Sequence, residues 1–489
     1  MGTAANGTTE TERKFEVPED LELSDPSTIL GIEARPRDEV ELDATYYDTA
    51  DLRLARAGVT LRRRIGGDDA GWHLKLPIDA DSRQEIRRPA GRGVRPPAEL
   101  TALARVFSRG QRLDPVAKLV TRRRRWTLAD ETGAELAELA EDRVQGFPLN
   151  PAAAEVSWRE LEIELTGDGD AGLLDTLGRT LRRAGVRRSP APSKLSRVLG
   201  DRLPAAPTRR KAGAVVGYLA EQTEILRAHD PLVRLDAPDA VHTMRTTSRR
   251  LRSAMQGFRG VLDREATAQL VEDLRWLGGE LGPARDAEVT AARFDAAVHT
   301  LPPEDVLGPV AQEIARRFAR EQQQGRERAL AALKSRRYLA LQGRLDALLA
   351  EPPLTGAKPK RALERGVRKA HKRTADRLEA ALATDTDRDE ALHEARKAAK
   401  RLRYVLEVVE PDGGGKVARR RRRVKALAGL LGDHHDTVTA RPVLRELAAI
   451  AHQEGGNGYT FGILYAREQA EAERLEGLLP AARKRAGLR

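Results

Sequence analysis

Cysteine is absent from the 489 residues. Disulfides, thiolate metal ligands and cysteine nucleophiles are therefore excluded, and any metal must sit on carboxylate oxygen or imidazole nitrogen. Aromatic residues make up only 4% of the chain, too few for a surface that binds single strands by stacking bases on rings. No run of about 18 apolar residues occurs, and the polar, acidic start lacks the basic and then apolar order of a secretory leader. The expectation is a soluble, cytoplasmic protein with no membrane partner.

What is present is charge, unevenly placed. Formal net charge is +12. Residues 1–200 hold 32 Lys+Arg against 34 Asp+Glu, and residues 201–489 hold 54 against 40, so the first region is −2 and the second +14. A positive surplus on one region points to a polyanionic partner such as a phosphate polymer, nucleic acid or an acidic membrane surface. At about 150 residues per domain the length suggests two to four domains.

Up to residue 200 the chain reads as strands punctuated by Gly, Pro and Asp: "TTETERKFEV", "ATYYDT", "VTLRRRI", "GWHLKLPI", "RQEIRRP", "LVTRRRRWTLA", "AELAELAEDRV" and "WRELEIELTG". A helical stretch, "GLLDTLGRTLRRAG", precedes "PAPSKLSRVLGDRL". The expected organisation is an α+β chain with a β-rich domain over 1–205, a linker over 206–212 and a helical domain over 213–489.

Alternation along a strand places every second side chain on one face. Glu10, Glu12, Lys14 and Glu16 then oppose Arg13, Phe15 and Val17; Arg62 and Arg64 oppose Leu61, Arg63 and Ile65; Lys75 opposes Trp72, Leu74 and Leu76. Glu160, Glu162 and Glu164 oppose Leu161, Ile163 and Leu165. Either the charges face water over an apolar core, or they line a barrel whose apolar exterior is covered by helices. The second arrangement is costly unless the charges are paired or hold ions. Glu10, Glu12, Glu160, Glu162 and Glu164 offer hard oxygen ligands suited to Mg²⁺ or Mn²⁺, while Arg62, Arg64, Lys75, Arg87 and the arginines at 122–125 can neutralise phosphates.

E-x-E-x-K at 10–14, followed by "TLRRRI", "WHLKLP", "VTRRRRW", "LAEDRV", "ELEIEL" and "PSKL", resembles the CYTH superfamily of triphosphate tunnel proteins over about residues 8–200. The resemblance implies an eight-stranded antiparallel β-barrel tunnel that hydrolyses a phosphoanhydride with metal. It implies Glu10 and Glu12 as metal ligands, joined by Asp142 and by carboxylates from Glu160, Glu162 or Glu164. It further implies Arg62, Arg64, Lys75, Arg87, Arg123, Arg125 and Lys194 as the triphosphate site. Catalysis would fall to Glu10, Glu12 and Lys14, the last positioning water or, only if its pKa were lowered, deprotonating it. Alternation alone groups Arg123 with Arg125 or Arg122 with Arg124, and leaves open which pair faces inward and which late glutamates are ligands.

From residue 213 apolar spacing turns helical. "VHTMRTTSRRLR" at 241–252 repeats as "LHEARKAAKRLRY" at 392–404, and "LGPARD" at 281–286 as "LGDHHD" at 431–436, offsets of 151 and 150. Duplication into halves of about 213–350 and 362–489 follows, joined through "EPPLTGAKPKR". His242, Arg245, Arg249 and Arg252 share one helical stripe, and His393, Arg396, Lys400 and Arg403 repeat it, almost without acids among them. These motifs resemble the CHAD domain, a pair of four-helix bundles. That resemblance implies an inorganic polyphosphate site lined by these eight residues with Lys397, Arg285 and His435, and with Asp286 and Asp436 orienting the bases. The expected function is metal-dependent hydrolysis of inorganic or another triphosphate in the tunnel and polyphosphate binding by the helices. A noncatalytic polyphosphate-binding or targeting protein is the alternative, and nucleic acid is the less favoured partner.

Overall fold

The computed structural model describes residues 7–18, 21–91, 93–149, 154–203, 213–384 and 386–488. The chain divides into two compact units near residue 207. The expected linker at 206–212 lies outside the described residues.

The first unit holds β1 (Thr8–Glu16), β2 (Glu33–Pro36), β3 (Val40–Asp48), β4 (Thr60–Ile65), β5 (Gly71–Pro77), β6 (Ser82–Arg88), β7 (Asp114–Ala129), β8 (Glu135–Pro148), β9 (Val156–Leu165) and β10 (Arg187–Arg188). Eight of them close into an antiparallel barrel in the order β1-β6-β5-β4-β3-β7-β8-β9, with β9 returning to β1. Closure removes both sheet edges. β2 extends β7, and β10 flanks β1. At four and two residues, both are too short for alternation to mark them in the sequence.

Five helices accompany the barrel: α1 (Pro26–Leu30), α2 (Arg53–Arg56), α3 (Ala98–Ser108), α4 (Ala171–Arg183) and α5 (Lys194–Leu199). α4 starts where Asp170 accepts from Leu173 N at 2.9 Å, an N-cap that satisfies an orphan donor. Its Leu174, Leu177 and Leu181, at helical spacing, bury against Phe15, Leu161 and Ile163 on the outer faces of β1 and β9. Each such leucine contributes about 2 kcal/mol. The apolar strand faces therefore point outward under helices, and the charged faces are forced inward. α5 plugs one end of the barrel, where Leu195, Val198 and Leu199 pack on Ala117, Leu119 and Val144. Gly146 makes room for it: a Cβ there would lie 2.4 Å from Val198 Cγ2.

The second unit is helical: α6 (Gly213–Arg234), α7 (Ala240–Gly257), α8 (Ala268–Glu280), α9 (Gly282–His299), α10 (Val310–Lys334), α11 (Arg336–Ala350), α12 (Pro359–Ala383), α13 (Arg388–Gln453) and α14 (Tyr459–Ala486). α13 is two helical segments broken at Gly414, whose φ of 59° suits glycine. The duplication is visible in the helices. α6 matches α12, α7 the first segment of α13, α8 with α9 its second segment, and α10 matches α14. The first half is interrupted where Pro283 enters the first turn of α9; its counterpart has Asp433 and runs on. α11 has no counterpart. The halves also share a core, since Phe294 and Phe318 pack with Leu444, Phe461 and Leu464. Among the described residues no helix is long and apolar enough to cross a membrane.

Candidate active site and anion groove

Strand alternation aims Glu10, Glu12 and Lys14 of β1, Arg62 and Arg64 of β4, Lys75 of β5, Glu85 and Arg87 of β6, Arg123 and Arg125 of β7, and Glu162 and Glu164 of β9 into one cavity of about 300 Å³. Their neighbours turn away: Arg13 bonds Asp81 at 2.8 Å and Asp175 at 2.7 Å, and Arg124 donates to the Leu23 carbonyl at 2.6 Å. Of the two possible arginine pairs on β7, Arg123 and Arg125 thus face inward.

Most of the cations are engaged. Arg123 forks onto Asp142 with two bonds of 2.7 Å and also bonds Glu162. Lys75 Nζ reaches Glu10 Oε2 at 2.5 Å and Arg87 reaches Glu10 Oε1 at 2.9 Å. Arg64 holds Asp69 at 2.6 Å, and Arg125 holds Asp68 at 3.0 Å. Arg62 is less well matched, with Tyr46 Oη at 3.3 Å and Glu85 at 3.9 Å. Ser193 caps α5 and sets Lys194 as its first residue. The Lys194 ammonium lies 2.8 Å from Asp142, 2.7 Å from Glu160 and 2.5 Å from Glu162.

Burial opposes ionisation throughout, yet Lys14, Lys75 and Lys194 hold Glu12 down at about 2. Lys14 bonds Glu162 and stands 3.0 Å from Glu12; these carboxylates outweigh its burial and raise its pKa. A general-base role for Lys14 does not fit that environment, and a fixed cation does. Glu164 has no ion pair among the described residues; burial, then the charge of Glu10, pushes its carboxyl up to about 7. Glu10 is raised too, by burial and by its hydrogen bond with Glu85.

Two carboxylate groups therefore differ in their fitness for a cation. Asp142, Glu160 and Glu162 converge within 4.8 Å of one another, but the Lys194 ammonium and Arg123 already neutralise them. Glu10 stays raised despite Lys75 and Arg87, Glu164 has no ion pair among the described residues, and Glu12 beside them is held ionised. Their all-oxygen donor set suits a hard divalent ion such as Mg²⁺ or Mn²⁺.

In the helical unit His242, Arg245 and Arg249 of α7 face His393, Arg396 and Lys400 of α13 across a cavity of about 860 Å³, which Arg285 and His435 also line. Arg245 donates to Asp286 at 2.7 Å, and Arg396 stands 3.9 Å from Asp436. The His393 and His435 rings stack at 4.2 Å with Nδ1 atoms 3.1 Å apart. Burial, then Arg396 and Arg249, pushes Lys400 down to about 7. Burial and Arg396 bring His435 down to about 4. Burial first and the crowded cations second thus favour the neutral forms of these groups, and a bound anion would oppose that.

A CYTH domain model matches residues 8–199 and a CHAD domain model matches residues 217–445. The chain belongs to the CYTH and CHAD domain proteins. Two curated Mycobacterium tuberculosis proteins, uncharacterized protein MT2285 (strain CDC 1551 / Oshkosh) and uncharacterized protein Rv2226 (strain ATCC 25618 / H37Rv), are each 38% identical to it over 499 residues, spanning 97% of this chain and 95% of theirs. Similar solved structures include PptA from Streptomyces chartreusis, at 23% identity and TM-score 0.49, covering 57% of this chain and all of that one. The CHAD domain from Ricinus communis matches at 27% identity and TM-score 0.42, covering 56% of this chain and 90% of its own. HpAC1 from Hippeastrum, described as having a dominant triphosphatase activity, matches at 17% identity and TM-score 0.27, covering 39% of this chain and 94% of its own. CYTH domains include triphosphatases and cyclases, and CHAD domains are associated with polyphosphate binding.

The CYTH barrel brings together Glu10, Glu12, Lys14, Arg62, Arg64, Lys75, Arg87, Arg123, Arg125, Glu162, Glu164 and Lys194. Asp142 and Glu160 sit behind them, 0% and 2% exposed, under Lys194. Sequence reasoning missed Glu85, which is 1% exposed and binds Arg87, Lys75 and His73. Its signal was available, because Glu85 shares the face of Arg87 in "RQEIRR". His73 is fixed by Glu85 at 2.9 Å and by the Asp69 carbonyl at 2.8 Å. In the CHAD domain three expected residues do not line the groove. Lys397 pairs with Glu394, Arg403 bonds Glu407 at 3.2 Å, and Arg252 lies beyond Arg249. Arg293 and Arg328 line it instead, although their partners Glu468 and Glu280 leave them little free charge.

Proposed function

We propose that the CYTH tunnel hydrolyses inorganic triphosphate or a related triphosphate with Mg²⁺ or Mn²⁺, and that the CHAD groove binds inorganic polyphosphate in the cytoplasm. The observation that carries the first part is one cavity holding the under-compensated carboxylates Glu10 and Glu164, the ionised Glu12 beside them and the half-matched guanidinium of Arg62. Those carboxylates would hold the metal, which when bound supplies charge neutralisation and polarises the phosphoryl group.

The chain's own residues do the rest. Arg62, Arg64, Arg123 and Arg125 take non-bridging phosphate oxygens and stabilise charge developing on them. Arg125 is available because its partner Asp68 sits on the β4–β5 turn with a side chain 75% exposed, a pair worth little in water. Lys14, kept protonated between Glu12 and Glu162, orients the acidic wall and an attacking water.

For the groove, Arg245, Arg249, Arg285, Arg396 and Lys400 around one cavity make a concentration of positive charge on which a chain of phosphates fits. A noncatalytic tunnel that only binds triphosphate is the second reading, favoured by the saturation of Asp142, Glu160 and Glu162 by Lys194. Phosphate release from tripolyphosphate with Mg²⁺ or Mn²⁺ separates the two. Turnover that falls at least about a hundredfold in Glu10→Gln plus Glu12→Gln supports hydrolysis; turnover that persists in that variant sinks the proposed site, and none in the wild type leaves binding alone.

A further inference from the structure

The duplicated halves of the helical unit are not electrically equal. Arg250 Nε donates to Glu407 Oε2 at 3.0 Å, and Glu407 also accepts from Arg403 Nε at 3.2 Å. At the 151-residue offset Arg250 corresponds to Arg401, Arg252 to Arg403 and Gln256 to Glu407. The twin contact is made in the same way, with Arg401 Nη2 meeting Gln256 Oε1 at 3.1 Å. One pair of arginines therefore shares a carboxylate, whereas in the twin place Arg401 meets a neutral amide.

Packing deepens that deficit. A Cβ on Gly257 would lie 2.6 Å from Val405 Cγ2, and one on Gly366 would lie 2.8 Å from the Gly257 carbonyl oxygen, so α7, α12 and α13 approach closely through glycine. Arg373 follows Gly366 by two turns on the same face of α12, and Arg259 follows Gly257 by two residues. Arg401 is pushed down by burial and by Arg373, Arg252 and Arg259; Arg252 is pushed down by burial and by Arg275 and Arg249. The acid that acts on Arg252, Glu272, is already taken by Arg275 at 2.5 Å. Among the described residues no carboxylate stands within ion-pair distance of Arg252, Arg259, Arg373 or Arg401.

We infer that Arg252, Arg259, Arg373 and Arg401 form a second phosphate subsite, outside the central groove, that engages inorganic polyphosphate chains long enough to run past Arg249. Arg249 links the two places, since it lines the groove and acts on Arg252. The occupant proposed is a phosphate chain, since the nearby ring, Tyr404, is 2% exposed and offers no face on which a single strand could stack a base. The inference rests on the reading of the groove as a polyphosphate site.

The test is calorimetric binding of long-chain polyphosphate and of tripolyphosphate to the full chain at several salt concentrations. Gln256→Glu installs the carboxylate that the twin half already has, without removing an arginine. It is expected to weaken long-chain binding roughly tenfold and to lower the salt slope by about 1, with tripolyphosphate binding unchanged. Arg259→Gln plus Arg373→Gln, both at exposed positions, is expected to act in the same way and decides the matter if Gln256→Glu fails to fold. The groove variant Arg396→Gln plus Lys400→Gln separates the two readings. If it loses binding while the subsite variants bind long chains like the wild type, the subsite is overturned and the groove stands. If the subsite variants weaken both ligands equally, the length-dependent subsite is also overturned. If the groove variant itself binds like the wild type, the groove reading fails.

Discussion

Glu12 and Glu164 stand directly opposite each other on the β1–β9 seam that closes the barrel. Like charges in cross-strand register repel. Lys14 sits beside Glu12, whereas burial, then Glu10, and to a smaller extent Glu12 across the seam push the Glu164 carboxyl up to about 7 against an ordinary 4.5. A raised carboxyl pKa means that the folded protein keeps a proton the unfolded chain would release, so ionising Glu164 costs stability from about pH 4.5 and the cost is complete above about pH 7. In the proposed metal site a divalent cation would displace that proton. Mg²⁺ or Mn²⁺ affinity should rise by up to about tenfold per pH unit between pH 5 and 7 and level off above. Calorimetry in buffers of different ionisation heat checks the proton release, and Glu164→Gln should flatten the profile.

Lys400 carries the opposite sign. Its amine, pushed down to about 7 by burial and then by Arg396 and Arg249, is largely neutral above that pH, and a bound phosphate chain would restore its proton. Polyphosphate affinity should therefore fall as pH rises from about 7 to 9, by at most roughly tenfold per unit. Lys400→Arg, which stays charged over this range, should show little of that fall; an unchanged slope in the variant would place the titration elsewhere.

Asp68 pairs with Arg125, and in the proposed triphosphate site it would compete with phosphate for that guanidinium. Asp68→Asn is expected to lower the KM for triphosphate about two- to fivefold while leaving the melting temperature within a degree or two, as befits an exposed pair. A higher KM would show that Arg125 needs Asp68 to hold it in place.

Gly146 is the seat of α5. Gly146→Ala drives a methyl against Val198 Cγ2, with an expected loss of about 1–3 kcal/mol of stability. Because the same helix carries Lys194 into the acids of β8 and β9, turnover should drop along with the melting temperature. A thermal melt and an activity assay on one preparation check both.

The alternation in "TETERK", "TLRRRI" and "ELEIEL" determined, without any coordinates, that Glu10, Glu12 and Lys14 share a face, as do Arg62 with Arg64 and Glu160 with Glu162 and Glu164. That follows because a strand's period of two is local. The duplication of the helical region was legible for a related reason, since its motifs recur at a nearly constant offset. Tertiary structure decided the rest. Whether Arg123 or Arg124 points inward depends on barrel closure and on α4 claiming the apolar faces. Whether Lys194 meets phosphate or carboxylate depends on where the cap at Ser193 sets α5. The contrast between Gln256 and Glu407 stands in the chain, but only the packing of α7 on α13 shows that each faces an arginine. Sequence separation hides such contacts, because the energy of a buried charge depends on neighbours that folding brings from more than a hundred residues away.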